Sequence, residues 1–497
     1  MSRGRWVLAV AVTAALGAVG VSRSVGAAPF VGDRSPRVAS WGRATVIPGL
    51  AALDAGGSAR VAALSCGAWR TCSAGGQYRD AGARLQPFLV DEAGGVWRNA
   101  IEVPGIARLN GGGRAVVDAI SCRSGSSCSA GGQYLDRAGH YQVFVIDKVG
   151  GVWRAAKELP GSPSLNSGGN AEIAALACGS PGNCSAGGQY RDRSGHYEAF
   201  VADEASGVWG TAREVPGTAT LNPGGKAAIN AVSCASPGNC SGGGYYEDAG
   251  HHVQAFVVNE TNHVWTSAAE VPGSAALNAG GDAVVTSISC PASGDCSAVG
   301  YYAYDTGYGD YFPFVVSDSQ GVWGQAIEPP GVDALNPTSV YELKLLTISC
   351  GSVGNCSAGG FDQEDDIAFV YYPVLVNESH GVWANVEYVP GSPALNQGLD
   401  ASVVSVSCIS SRRCALGGYF ANYRNGLKGN ETVQALVDGG VAGVWEHATE
   451  VPGSRNLNVG GYASVTGVSC VGGACSAGGI YTNHARHLDA FVETSSI

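Results

Sequence analysis

Methionine occurs once, as the initiator, and lysine only five times in this chain of 497 residues. Charged residues make up 14%, and the formal net charge is -12. So sparse and acidic a surface lacks the footprint that nucleic acid or anionic lipid requires, and neither is expected as a partner. With 45% hydrophobic residues the chain is too apolar for disorder, and with 75 glycines it is a poor helical protein. After Val7–Val21 no second long apolar run follows, so no membrane insertion is expected. Gly-x-Ser-x-Gly elbows, metal-protease histidine motifs and phosphate-binding glycine loops are absent, as are the Ser-x-Asp-x-Gly-x-Thr-Trp boxes of sialidases. No cofactor, no metal and no catalytic residue is therefore expected.

The amino terminus carries Arg3 and Arg5, then the uncharged Val7–Val21 run, then small residues Val25-Gly26-Ala27. That order predicts a secretory signal over residues 1–27, a linker over 28–37 and a mature domain over 38–494. Removing the signal takes the charge to -15. A secreted, extracellular or envelope-associated monomer is expected.

What the chain has in abundance is repetition. Tryptophan recurs at 41, 97, 153, 209, 265, 323, 383 and 445, with steps of 56 four times and then 58, 60 and 62. Cysteines come in eight pairs: Cys66/Cys72, Cys122/Cys128, Cys178/Cys184, Cys234/Cys240, Cys290/Cys296, Cys350/Cys356, Cys408/Cys414 and Cys470/Cys475. Each unit also carries Pro-Gly after its Trp, then Leu-Asn, with Leu53-Asp54 as the one variant.

In the unit Ala227–Pro272, Ala228–Cys234 alternates with period two, and Cys240–Tyr246 and Gln254–Val258 read as second and third strands. Val264–Val271, with Trp265, reads as a fourth, ended by the turn at Pro272-Gly273. No helical periodicity is visible. The last repeat stops after its third strand, while the first begins with Ser40-Trp41 running to Pro48-Gly49. The expectation is an all-β chain: an eight-bladed β-propeller of four-stranded blades, closed by the N-terminal strand completing the last blade.

The sequence Ser-Cys, Cys-Ser-Ala-Gly-Gly-Tyr, Ala-Phe-Val, Gly-Val-Trp and Val-Pro-Gly resembles the units of secreted Cys-pair repeat proteins from high-GC bacteria. The resemblance covers residues 38–494, implies a propeller-type repeat and carries no chemistry. A fainter similarity links the chain to the eight-bladed quinoprotein dehydrogenases, whose adjacent-cysteine pair is missing here.

Sixteen cysteines in a secreted chain suggest disulfides, with each C-x5-C, and C-x4-C in the last repeat, closing a hairpin locally. Zinc would need two pairs to converge, which separate radial blades do not allow. The repeated Trp suits packing between blades, and the repeated Leu-Asn suits a plug and a turn bond. Eight equivalent ligand sites at Leu-Asn are the competing reading. His140, His196, His251 and His487 recur in loops and read as part of the repeat.

The repeat breaks in units five to seven, between the second and third strands. Tyr302, Tyr304, Asp305, Tyr308, Asp310 and Tyr311 fall in the first altered segment, Glu364, Asp365 and Asp366 in the second, Tyr423 in the third. A tyrosine-rich, acidic loop cluster on one face suits stacking of sugars or capture of a cationic peptide. The expected function is non-catalytic binding of an extracellular glycan or protein through these loops. The alternatives are a glycan hydrolase or lyase, with Glu364 and Asp366 as acid and base, and a structural envelope protein.

Overall fold

The computed structural model describes residues 40–305, 310–335, 342–365, 370–411, 413–423, 431–441 and 443–495, the side chains of Glu364 and Asp365 excepted. Within them the chain is all-β, a series of antiparallel sheets of propeller-blade type that repeat with the sequence.

One unit shows why these residues form this sheet. Ala227–Ser236, Asn239–Glu247 and Val253–Thr261 are three antiparallel strands joined in order. The first two form a hairpin that pairs Cys234 directly with Cys240. Asn230 is an extra residue on the first strand, between Ile229 and Ala231 in the register. Beside it Gly244 lies so close to the first strand that a Cβ would stand 1.9 Å from the Ala228 carbonyl oxygen. This is the reason for the second glycine of the repeated Gly-Gly, while a Cβ on the first, Gly243, would stand 2.6 Å from Val285 Cγ1 of the next unit.

The fourth strand departs from expectation. It is two short pieces, Val264–Trp265 and Ala269–Glu270, and their registers against the third strand differ by one residue. The extra residue falls between them, where the chain turns toward its neighbour: Ala268 N donates to Pro216 O in the preceding unit at 2.7 Å. Trp265 Nε1 likewise donates to Asp203 Oδ1 of that unit at 3.0 Å. Trp153 reaches Asp91 and Trp209 reaches Asp147, each at 3.2 Å. The tryptophans therefore pack between units, as their period implied.

The connection also departs from expectation, because it contains one helical turn, Ser274–Leu277. Gly273 enters it at φ 83°, a conformation that favours glycine, and Ser274 Oγ donates to Val271 O at 2.8 Å. Four residues are too few for a sequence period to betray.

Neighbouring units share their cores. Val257 and Val271 pack with Val285, Ile288 and Phe314 of the next unit, so the third strand is buried on both faces. Ser233 Oγ accepts Cys290 N at 3.0 Å, and Ser289 Oγ accepts Cys350 N at 2.9 Å. The last repeat meets the first in the same way. Ser469 Oγ accepts Cys66 N at 2.9 Å, and Thr466 Oγ1 donates to Val61 O at 3.0 Å, as Thr286 does to Leu345 O at 2.7 Å. Thr45 and Val46 pair with Val492 and Phe491 of the last third strand.

All eight cysteine pairs are disulfides within their own hairpins: Cys66–Cys72, Cys122–Cys128, Cys178–Cys184, Cys234–Cys240, Cys290–Cys296, Cys350–Cys356, Cys408–Cys414 and Cys470–Cys475. The pairing is local, as the spacing implies, and the second cysteine of the pair has a further role between units. Cys72, Cys128 and Cys475 are buried in the packing between units. Cys72 Sγ lies 3.3 Å from Ser476 Oγ of the last repeat, and Cys128 Sγ lies 3.5 Å from Ser73 Oγ of the first. Cys475 belongs to a core with Ala415 and Val437 of the preceding unit. Cys296 and Cys356 are buried in their shared cores in the same manner. The reason is the pleat: the second strand turns this side chain toward the neighbouring sheet, so the bond closes a hairpin and fills an interface at once. Among the described residues no helix is long and apolar enough to cross a membrane.

Candidate functional site

The ends of the sheets opposite the disulfides gather the chemistry. Side chains of successive strand residues point to opposite faces, so the two tyrosines that follow Val299-Gly300 part company. Tyr302 turns into the packing. It is 3% exposed, stacks on Phe312 and donates its hydroxyl to Glu328 at 2.7 Å. Tyr301 turns the other way and meets Tyr311 edge-on at 5.3 Å between ring centres. Lys344, on the first strand of the next unit, places its ammonium 3.6 Å from the Tyr311 ring centre and 4.3 Å from that of Tyr301. Glu342 pairs with the same ammonium, and Tyr311 donates its hydroxyl to Asp282 Oδ2 at 2.8 Å. Lys344 is thus held between two aromatic faces and a carboxylate.

This group continues along the sheet ends in both directions. Burial raises the Tyr301 phenol to about 12, with Asp282, Glu342 and Tyr245 adding to it. Tyr245 is raised by burial and then by Glu172 and Tyr197, and Asn170 Nδ2 donates to the Tyr197 hydroxyl at 2.8 Å. On the other side Tyr371 is raised by burial and by Glu342 and Asp400. Tyr419, also raised by burial, hydrogen-bonds Asp400. The result is a belt of phenols interleaved with Glu172, Asp282, Glu342 and Asp400.

The expected site residues distribute unevenly over this surface. Tyr304 is exposed and tilts over Phe312 at 5.4 Å. Tyr311 is half-buried in the belt, and Asp305 is half-buried. Tyr302 and Asp310 are buried, which corrects their assignment as ligand contacts: the pleat sends Tyr302 inward, and Asp310 is 6% exposed where its carbonyl accepts Tyr304 N at 3.0 Å. Tyr423 lines a separate cleft of about 220 Å³ with Asn422, Thr432, Gln434, Arg455 and Asn458. Tyr308 and Asp366, with the side chains of Glu364 and Asp365, lie outside the described residues.

Sequence reasoning missed Tyr245, Tyr371, Tyr419 and Lys344. A signal for two of them was present. The residue after Gly-Gly, or after Val299-Gly300 in unit five, runs Gln77, Gln133, Gln189, Tyr245, Tyr301, Phe361, Tyr419, Ile480, so aromatics occupy it only in units four to seven.

The Leu-Asn junctions are structural. Asn166 Nδ2 donates to Tyr141 O at 2.8 Å and to Gln142 Oε1 at 3.0 Å, and its Oδ1 accepts Asn170 N at 2.7 Å. Asp192, His196 and Glu198 bring three ligand atoms within 4.8 Å of one another. Asp192 accepts His196 N, however, as Asp136 accepts His140 N and Asp248 accepts His252 N. That arrangement is the geometry of a repeated turn.

No protein-family model matches this chain, and no curated protein matches it. Among solved structures, it is similar to an ulvan lyase of a polysaccharide lyase family (TM-score 0.42, 9% identity, 91% of this chain and 94% of that one). It is similar also to the β-propeller domain of the trilobed protease from Pyrococcus furiosus (TM-score 0.40, 9% identity, 77% and 97%). The Trypanosoma rangeli sialidase is a further match (TM-score 0.34, 10% identity, 92% and 55%). Likeness at this level carries no inference about activity, which has to rest on the residues.

Proposed function

We propose that the mature chain is an extracellular eight-bladed propeller, closed by its N-terminal strand, that binds a neutral or amino-sugar glycan along the tyrosine–carboxylate belt. Supporting the ring are the bonds between the last repeat and the first, which repeat those between consecutive units, and the pairing of Thr45 and Val46 with the last third strand, where other units pair their own fourth strand. Eight disulfides support an oxidising destination.

The observation that carries the binding reading is the belt itself. Phenol faces stack on sugar rings at low side-chain entropy cost, and carboxylates accept hydrogen bonds from hydroxyls. Glu172, Asp282, Glu342 and Asp400 outnumber the ammonium of Lys344 within the belt, so uronic-acid polymers are disfavoured. Calorimetry with neutral, amino-sugar and uronic oligosaccharides tests this. Tyr245→Ala with Tyr301→Ala should weaken binding at least tenfold, on the order of 1.4 kcal/mol, with the disulfide end untouched. Equal binding by the double variant, or preference for uronic polymers, would refute the assignment.

A second reading, a polysaccharide hydrolase or lyase, draws on Asp118, whose carboxyl burial raises to about 7 and whose neighbours are Arg60 and Glu172. Polysaccharide turnover by the wild type, lost in Asp118→Asn, would favour that reading.

A further inference from the structure

Seven of the eight junctions between units carry asparagine, and its side chain has two fixed tasks where it is described in full. The oxygen accepts a backbone N–H of the following turn: Arg114 N to Asn110, Lys226 N to Asn222 and Asp282 N to Asn278, four residues on, and Gly461 N to Asn458, three residues on. The amide nitrogen donates to a third-strand carbonyl and to the side-chain oxygen of the next residue. Asn222 does so with Tyr197 O and Glu198 Oε2, at 3.0 and 2.9 Å. Asn278 does so with Val253 O and Gln254 Oε1, both at 2.9 Å. Asn458 does so with Val433 O and Gln434 Oε1, at 2.8 and 3.1 Å. One NH2 group thus sits among acceptor oxygens.

The junction between the last repeat and the first breaks this rule. Asp54 stands in place of the asparagine, and its Oδ1 performs the first task, accepting Ser58 N and Arg79 N at 2.9 Å each. Its Oδ2 is left at the position of the amide nitrogen. The equivalent acceptors are still there: Leu488 O, which also accepts Ala59 N at 2.7 Å, and the Asp489 carboxylate. Asp54 is 7% exposed, and its Oδ2 has no hydrogen-bond partner. At every other described junction an amide donor occupies this place; here a carboxylate stands in it, near enough to Asp489 for the two charges to repel. The remaining polar neighbours do not fill it. Asn483 Nδ2 donates to Asp489 at 2.7 Å, Tyr481 hydrogen-bonds the same carboxylate, and His487 acts on Asp54 only through its charge.

We propose that this junction is a Ca²⁺ site, with Asp54 Oδ2, the Asp489 carboxylate and Leu488 O as protein ligands and water completing the shell. Hard oxygen donors that combine carboxylates with a backbone carbonyl are the ligand set Ca²⁺ takes. A single shared proton could bridge the two carboxylates, but it would not also engage the carbonyl, as the two hydrogens of the asparagine NH2 do at other junctions. The cation would tie the first repeat to the last, where covalent continuity is missing. The inference rests on the contacts at this junction and is independent of what the tyrosine belt binds.

The experiment is thermal unfolding of the mature protein in EDTA and in CaCl2, with calorimetric titration of CaCl2. Wild type should bind one Ca²⁺ at this site and melt at least about 2 °C higher with it than in EDTA. Asp54→Asn, which restores the residue used at the other junctions, should lose that response and melt in EDTA no lower than wild type. Asp489→Asn keeps Asp54 and should weaken Ca²⁺ at least tenfold, so the test survives if the first variant folds poorly. An unchanged Ca²⁺ response in both variants would place the ion elsewhere and overturn the proposal. So would a wild type indifferent to CaCl2 whose rise in melting temperature between pH 7 and 5 is reduced in Asp54→Asn, the behaviour of a proton shared at this junction.

Discussion

At the scale of single residues, the first-strand bulge shows how one atom type decides a pH response. At this position Asn230 donates to Val285 O at 3.0 Å, and Thr286 and Thr466 donate to the equivalent carbonyls of their next units. Unit two has Asp118 there, and its Oδ2 lacks a partner. Ionised, it presents an acceptor where units four, five and eight present a donor; protonated, it can donate as they do. Burial accordingly raises its carboxyl to about 7, above the ordinary ~3.9. The folded chain then holds a proton that the unfolded chain has released between those values. This contribution is complete below about pH 4 and is lost as pH rises through about 7. Burial also raises Glu204 and Glu260 to about 7, and they act in the same direction. The protein is therefore expected to unfold at higher denaturant at pH 5 than at pH 8. Asp118→Asn supplies a permanent donor, so it should gain on the order of 1 kcal/mol at pH 8 and little at pH 5. Urea titrations at the two pH values check this; a variant as pH-dependent as wild type would show that Asp118 is not among the groups responsible.

At the scale of elements, the hairpins and the fourth strand were unequally legible. Cys178 and Cys184 are six residues apart and face each other across a tight hairpin, with Cα atoms 3.8 Å apart. Pairing of this kind follows from local chain geometry alone, whereas the burial of Cys72, Cys128 and Cys475 against a neighbouring sheet does not. Each such small loop contributes about 2 kcal/mol in the chain-entropy model. Cys178→Ser with Cys184→Ser should therefore lower unfolding free energy by about 2 kcal/mol while the other hairpins stay bonded. Non-reducing peptide mapping should recover each local pair, and cross-repeat links would contradict the structure. The broken fourth strand was not legible, because its break is set by Asp203 and Pro216, which lie about fifty to sixty residues before Trp265. The case of Trp41 makes the same point. Its Nε1 has no partner, and Gly439 occupies the place that Asn259 holds for Trp323.

At the scale of the whole molecule, each core belongs to two units, so no unit is complete alone. Val61 and Phe88 of the first repeat pack with Ala490 and Val492 of the last. Fully burying a phenylalanine such as Phe88 contributes roughly 1.5–3 kcal/mol, and here that contribution depends on chain ends more than four hundred residues apart. Deleting residues 38–47 removes the partner of Phe491 and Val492 and leaves a bare sheet edge. The truncated protein should aggregate or lose much of its thermal stability in light-scattering and melting experiments. Melting like that of the intact chain would rule out the closed ring.

The repeat length was determined by the sequence alone, because it is the recurrence itself, and so were the three long strands, the disulfide pairs and the tight turns, because each depends on residues within about ten of one another. Period-two alternation, C-x5-C spacing and Pro-Gly chemistry act over that range. The tertiary structure decided which alternate side chain is functional: Tyr301 turns toward Lys344 and Tyr311, while Tyr302 turns inward to Glu328. It also turned the single Leu53-Asp54 variant into a junction of neighbouring acceptors, because Asp489 lies at the far end of the chain. Those assignments depend on which units meet, and no local pattern encodes the neighbour a side chain will face.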